Sequence, residues 1–307
     1  MPPSVQGKIY KVCRLLVGQA TLDLCKGISY FGIRSFLTKV RTIRAQESQA
    51  KKDPPPYYIS ICAILKDEGP YIKEWVEYHR LLGVEKFYLY DNGSTDDSAQ
   101  KIQELKASGI NIEYIRFPGE RMQLPAYEHC RKLAMYETKW LAIIDLDEFI
   151  QPGPNTSLIK ILKKSDGKYS QLLMPWMFFG SSGRISTPTG LVIESYTRRA
   201  KQCHSSTKAI VNPRRMLTVA VHRHTMLGQS KFLTDRILRL NHYHCKSWEE
   251  YQFRATRGDV AGGQLAALQK YQRQKFDSHD CNDVFDDSVC RYAAQLKKIL
   301  SSDPTAS

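Results

Sequence analysis

An α/β fold, built on a central, mostly parallel sheet with helices on both faces and a small added mixed sheet, is predicted by three observations. Between residues 57 and 144, short apolar runs rich in β-formers alternate with segments of helical period. Polar, turn-forming clusters fall where the apolar runs end. Beyond Ile150 the alternation loosens among Pro152, Pro154, Pro175, Pro188 and Pro213, which suits short strands added to the edge of a sheet and not a second domain.

The elements follow in order. Tyr57 to Leu65, Lys86 to Tyr90, Ile110 to Ile115 and Trp140 to Ile144 read as strands. Tyr71 to Leu82, Asp96 to Ser108 and Ala126 to Thr138 read as the helices between them. This β-α-β order places ligands at the carboxyl ends of the strands. Further on, Gln171 to Met174, Leu191 to Ser195, Lys208 to Val211 and Arg236 to Tyr243 suit short strands, and helices are expected over Ser247 to Thr256, Gly263 to Gln274 and Asp287 to Leu300.

With 307 residues, 42% of them hydrophobic, the chain can bury a sizeable core. Its formal charge is +14, and residues 1–56 hold ten Lys/Arg against Asp23, Glu47 and Asp53, so half of the excess sits in that segment. Such a balance suits phosphate-bearing partners: a nucleotide, an anionic membrane surface or nucleic acid. From Ile9 to Ile43 apolar residues are broken by Lys11, Arg14, Lys26, Arg34, Lys39 and Arg41, the pattern of basic amphipathic helices with a break near Gly27. Residues 8–44 could therefore lie on an anionic membrane surface, or pack on the main domain with their cations in water. Ala45 to Asp53, closed by Pro54-Pro55-Pro56, reads as a linker. Eight scattered cysteines without metal spacing read as reduced thiols. No stretch has the ~18 apolar residues of a membrane span, and no signal peptide is evident, so a cytoplasmic chain, peripheral on the membrane, is expected.

Asp145-Leu146-Asp147-Glu148 follows Trp-Leu-Ala-Ile-Ile, so a buried strand delivers three carboxylates to the sheet edge within four residues. Their repulsion is costly unless a cation sits between them, and Mn²⁺ or Mg²⁺ prefers carboxylate and phosphate oxygens. A helix N-cap is the structural alternative. Asp91-Asn92-Gly93-Ser94-Thr95-Asp96 also ends a strand; it makes a tight turn and cap, and Asp91 and Asn92 could face a nucleobase or ribose.

The run Ile61 to Glu68 (ICAILKDE), Glu74 to His79 (EWVEYH), Gly83-Val84 and Tyr88 to Asn92 resembles the start of glycosyltransferase family 92 and its bacterial family-2-like relatives. The resemblance continues through Gln123, Tyr127, Cys130, Trp140, Asp145 to Phe149, Trp176 to Gly183 and His242 to Ser247, covering about residues 57–262. It implies the GT-A fold, a UDP-sugar donor such as UDP-galactose, inversion at the anomeric carbon, and a glycan or lipid-linked acceptor. With the linker ending at Pro56, three regions are expected: an N-terminal basic helical segment and linker over 1–56, the catalytic domain that the resemblance covers over 57–262, and a helical extension over 263–307. Carried over by position, Lys66, Glu68, Asp91, Asn92, Gln123, Asp145 and Lys246 would bind the nucleotide-sugar, and Asp145 and Asp147 the metal. Position 67, usually Asn in these relatives, is Asp here, which puts a nucleotide role for it in doubt.

His242 and His244 alternate along a strand and so share a face; they are the candidate imidazole ligands, with His222 behind them. Lys246 could instead be a solvated lysine at a helix start. Inverting transfer needs a base near the acceptor hydroxyl, for which Glu194 comes first and Glu148 second, with Asp235 also open. Trp176, Phe179 and Gly180 are the candidate sugar contacts, or core. Two other function classes fit parts of the pattern: a basic nucleic-acid-binding protein and a metal-dependent phosphohydrolase. The first is weakened because the acidic residues cluster at the expected binding edge, so no nucleic-acid partner is expected.

Overall fold

The computed structural model describes residues 19–258, 262, 267–269 and 271–302. Two helices open it, α1 (Gln19–Phe31) and α2 (Ile33–Lys52), followed by β1 (Tyr57–Leu65), α3 (Gly69–Leu81), β2 (Lys86–Asp91), α4 (Ser98–Ala107), β3 (Ile112–Arg116), α5 (Gln123–Glu137) and β4 (Thr138–Ile143). The expected alternation of strand and helix is present throughout this half. Then come β5 (Glu148–Pro152), α6 (Leu158–Ser165), β6 (Gln171–Phe178), α7 (Val192–Ser195), β7 (Arg198–Arg199), β8 (Thr207–Val211), β9 (Met216–Thr218), β10 (Thr225–Met226), β11 (Ser230–Phe232) and β12 (Leu238–His242). The chain closes with α8 (Trp248–Arg257), α9 (Arg273–His279), β13 (Val284–Phe285) and α10 (Ala293–Ser301).

The main sheet runs β3-β2-β1-β4-β8-β6-β12-β5, with β11 beside β6. Strands β1 to β4 are parallel to one another, and β8 lies antiparallel to both β4 and β6. Strand β12 is parallel to β6 and β5 antiparallel to β12. One edge of the sheet therefore collects the carboxyl ends of β1, β2, β4, β6 and β12 and the amino ends of β5 and β8. Buried aliphatic and aromatic side chains pack both faces, with Trp75 and Trp140 on one and Tyr88, Tyr90 and Tyr127 on the other.

Four local expectations change. Leu191 to Ser195 is a helical turn, because the Glu74 carboxylate accepts from the N–H groups of Val192 and Ile193 at its start. Residues 148–152 extend as a strand because Asp147 and Glu148 find partners in neighbouring elements, which leaves no helix for them to cap. The stretch from Ala45 is helical up to Lys52, and the helix break falls at Gly32, whose φ of 75° suits glycine. Gly27 is instead a packing position: a Cβ there would lie 2.6 Å from the Phe36 ring. Of the helix expected over 263–274, residues 263–266 and 270 lie outside the described residues; the expectations for residues 1–18 lie there too.

Candidate active site

A cavity of about 460 Å³ opens at the shared strand edge, lined among others by Lys66, Glu68, Gln123, Asp145, Asp147, Trp176, Phe178, His242, His244 and Arg254. Four strands and α8 contribute to it, so residues far apart in sequence meet because their strands end at one edge.

The three acids of the Asp145–Glu148 run are separated by their partners. The Lys208 ammonium donates to Asp145 Oδ2 at 2.8 Å, and the Tyr127 hydroxyl donates to Asp145 Oδ1 at 3.0 Å. Lys208 lies fully buried at the start of β8, 3.9 Å from Glu148. Glu148 is itself fully buried; one carboxylate oxygen accepts from the Asp145 N–H and the other has no partner. Burial pushes its carboxyl well above the ordinary value, against the pull of Lys208. Asp147 faces the other way. Burial alone would raise it, but His242 and Arg254 together hold its carboxyl well below the usual range. Arg254 Nη2 donates to Asp147 Oδ2 at 2.9 Å, and His242 Nε2 lies 3.4 Å from the same oxygen.

Asp147, His242 and His244 each offer a ligand atom within 4.8 Å of the others, and these three form the metal-competent group found among the described residues. Asp145, expected as a ligand, is not part of this group; its two oxygens are held by Lys208 and Tyr127. The fit to a divalent cation rests on the donor set, one carboxylate and two imidazoles, and on His242 Nδ1, which is buried without a hydrogen-bond partner.

Other candidates are distributed unevenly. Lys66, Glu68 and Gln123 line the cavity; Glu68 is ion-paired to Arg257 at 2.6 Å, and Arg257 also donates to the Lys66 and Asp67 carbonyls. Asp67 turns away from the cavity, its Oδ1 accepting from Thr95 and Asp96 N–H groups, which removes the repulsion an extra acid would cause. Asp91 is fully buried; its oxygens accept from the Ser94 N–H and the Tyr114 hydroxyl, so a nucleobase contact would require exchange of Tyr114. Asn92 donates to the carbonyls of Phe117 and Gly119 and holds the turn.

Six residues fall elsewhere than the sequence expectations placed them. Lys246 is buried and does not line the cavity; its Nζ lies 3.0 Å from the centre of the Tyr71 ring, and burial lowers it to about 8. Phe179 is core, packed on Tyr243, and Gly180 faces the C-terminal segment, where a Cβ would lie 2.5 Å from Asn282 Oδ1. The aromatic pair that lines the cavity is Trp176 and Phe178, both half-buried and two residues apart on one face of β6. Glu194 is ion-paired to Lys297 away from the cavity, Glu148 is sealed beneath it, and Asp235 lines a different cavity.

Lys208, Arg254, Arg257, His204 and His279, missed from sequence, complete the site together with His222. Lys208 sits in an otherwise apolar strand, an anomaly that could have signalled a buried ion pair. Arg254 and Arg257 lie one turn apart on α8 and so face the same edge. His204 stacks on Trp176, His222 meets it edge-on, and His279 of α9 approaches His244 with ring centroids 5.3 Å apart. Burial lowers both His204 and His222, leaving neutral imidazoles near pH 7.

The model of glycosyltransferase family 92 matches residues 56–279. A family 92 protein of Ricinus communis is 31% identical over 205 residues, 64% of this chain and 37% of its own length. One of Oryza sativa subsp. japonica is 27% identical over 237 residues, 71% of this chain and 40% of its own. A galactan β-1,4-galactosyltransferase of Arabidopsis thaliana is 24% identical over 194 residues, 56% of this chain and 37% of its own. The chain thus spans well under half the length of these relatives. Among solved structures, S. aureus TarS residues 1–349 in complex with UDP-GlcNAc is similar at a TM-score of 0.41 and 13% identity, covering 72% of each chain. The chain belongs to glycosyltransferase family 92.

Proposed function

We propose that this chain is a metal-dependent, inverting hexosyltransferase that moves a sugar from a UDP-sugar, UDP-galactose in the first instance, to a hydroxyl of a glycan or glycolipid. The carrying observation is the convergence of Asp147, His242 and His244 beside the Trp176–Phe178 face in one cavity. A divalent cation, with Mn²⁺ favoured over Mg²⁺ by the two imidazoles, would neutralise the diphosphate leaving group there. Arg254 stands beside the same place as a second cation, and Asp145, oriented by Lys208 and Tyr127, is set to accept from a ribose hydroxyl. Trp176 and Phe178 offer flat apolar surface to the C–H face of a sugar ring. The galactan transferase among the relatives supports galactose as the first donor to try.

In direct displacement the acceptor oxygen bonds to the anomeric carbon as the carbon–oxygen bond to UDP breaks, and the acceptor proton passes to a base. The acids lining the cavity, Glu68, Asp145 and Asp147, each already face a cation. His222 is the better placed base: it hydrogen-bonds the Thr207 backbone and adjoins Trp176, leaving a second ring nitrogen for the acceptor.

No helix among the described residues is long and apolar enough to cross a membrane. Peripheral attachment to the cytoplasmic face through α1 and α2 is part of the proposal. Both acids of this pair are turned inward, Asp23 towards Arg223 and Glu47 onto Arg215, while Lys26, Arg34, Arg41 and Arg44 are exposed beside Ile28, Tyr30, Ile33 and Leu37.

The test is a donor panel: the protein is incubated with Mn²⁺, nucleotide sugars and oligosaccharide acceptors, and nucleoside diphosphate release is measured. Turnover with a uridine donor and no free phosphate is expected. Failure of every uridine donor to bind or turn over would reject the proposal, and release of inorganic phosphate would identify a phosphohydrolase instead.

A further inference from the structure

A second cavity, of about 860 Å³, lies at the other end of β12 from the donor cavity. Strand β12 joins the two: Arg239 near its start lines the second, and His242 at its end lines the first. Six cations surround the second cavity, Lys164, Lys168, Lys231, Arg236, Arg239 and Arg291, against Asp235 and Asp286. Asp286 contributes little free negative charge, because Arg199 and Arg239 both bind it. Lys164, Lys168 and Arg236 are exposed, and no carboxylate partner pairs with them among the described residues. Concentrating like charge around a concave surface is unfavourable unless an anion fills it.

Parts of this wall are fixed in advance. Arg291 Nη2 donates to the Pro152 carbonyl at 2.8 Å, and Arg239 is held by Asn241 and Asp286, so two guanidinium groups are immobilised before any ligand arrives. Gly153 N donates to the Ile237 carbonyl, and a Cβ at Gly153 would come within 2.1 Å of the Arg236 carbonyl, so the wall closes only around glycine. The lining is also apolar in places. Lys231 lies 5.1 Å from the centre of the Tyr169 ring, and Leu233 and Ile237 lie nearby. A ligand that satisfies both characters carries several spaced negative charges on a scaffold with apolar C–H faces. Small inorganic anions lack the second character, and neutral sugars the first.

We propose that this cavity binds an acidic oligosaccharide, one bearing carboxylates along its length, at a site separate from the donor cavity. The proposal does not depend on the identity of the donor sugar. It is tested by calorimetric titration of the full chain at low salt with tetragalacturonate, a neutral galactose tetramer, pyrophosphate and vesicles containing phosphatidylglycerol. Tetragalacturonate is expected to bind, to weaken with salt, and to remain bound in saturating UDP. The Lys168→Glu/Arg236→Glu variant should bind it about tenfold or more weakly while keeping its affinity for UDP. Lys164→Gln/Lys168→Gln, at two exposed positions, one in the last turn of α6 and one in the turn that follows it, should give a smaller loss in the same direction. Equal binding by both variants, displacement by UDP, pyrophosphate binding as tight as tetragalacturonate, or vesicle binding lost in the same variants would each overturn the proposal.

Discussion

Arg254 Nη2 lies 2.9 Å from Asp147 Oδ2, so the carboxylate placed to hold a divalent ion is already neutralised by the protein's own cation. The two cations must share that carboxylate once the metal enters, and they repel each other. Replacing Arg254 by Gln should therefore tighten Mn²⁺ binding in the absence of nucleotide, by about tenfold for a repulsion near 1.4 kcal/mol. The same change should weaken UDP binding, because a charge facing the diphosphate is lost. Titration of Mn²⁺ by electron paramagnetic resonance, with and without UDP, checks both; unchanged Mn²⁺ affinity would show that Arg254 and the ion do not compete. Asp147→Ala should remove Mn²⁺-dependent donor binding with the circular dichroism spectrum preserved.

Lys208 is the only fully buried ammonium the structure places between Asp145 and Glu148 among the described residues. Lys208→Met should cost about 3–5 kcal/mol, since it leaves buried acid without a counter-charge. Adding Glu148→Gln should recover part of that loss by removing the more deeply buried acid. Urea unfolding of the single and double variants measures this, and a double variant no more stable than the single one would show that Glu148 does not interact with Lys208.

If His222 takes the acceptor proton, His222→Ala should lower kcat by about 10²–10⁴ while leaving the affinity for UDP unchanged. Glu194→Ala, at a carboxylate outside the cavity, should leave kcat within a few-fold of wild type. Steady-state kinetics on the two variants distinguishes them, and the reverse ranking would return the base to Glu194.

Lys246 gives a pH signature. Burial lowers its ammonium from the ordinary 10.5 to about 8, so between those values the unfolded chain holds a proton that the folded chain has released. Stability contributed by this group therefore rises as pH climbs through that window, and its charge is a penalty below it. Measured against Lys246→Met, the wild type should gain melting temperature from pH 7.5 to pH 10. A constant difference would mean that the ammonium is as well solvated in its buried place as in water.

The parallel half of the sheet was legible in the sequence because each strand there is an apolar run ended by a polar turn, and Asp145 and Asp147 stood out as charge at such an end. His242 and His244 were legible from period-two spacing. Lys208 and Arg254 were not, because their partners lie 63 and 107 positions away and only the strand order brings them together. Trp176 and Phe179 looked like neighbours in a motif, yet β6 places Trp176 and Phe178 on one face and buries Phe179 beyond its end. Lys246 was misjudged because a lysine at a helix start is usually solvated, whereas a φ of 51° turns this one onto Tyr71. The Ala45 to Asp53 stretch lacked apolar period but is rich in helix-formers, and Glu47 anchors it through Arg215 and Asn212.

That anchoring changes how membrane attachment has to be tested. Phe36 and Ile43 of α2 are buried against Leu217, and Gly27 of α1 is packed on Phe36, so deleting the segment would uncover apolar surface on the main body and confound any partitioning result. Substitutions on the outer face avoid this. Ile28→Ser/Ile33→Ser removes two exposed side chains without touching the packed face, and should weaken binding to vesicles containing phosphatidylglycerol by about a hundredfold or more, at roughly 1.5–3 kcal/mol for each side chain taken from lipid. Arg34→Gln/Arg41→Gln should weaken the same binding by a smaller factor that vanishes at high salt, since each cation contributes about 1 kcal/mol near an anionic surface and is screened within a Debye length. Donor turnover with a soluble acceptor should be unaffected in both variants. Vesicle sedimentation at two salt concentrations reads out the two contributions separately, and wild-type partitioning in both variants would show that the exposed side of α1 and α2 has no part in membrane binding.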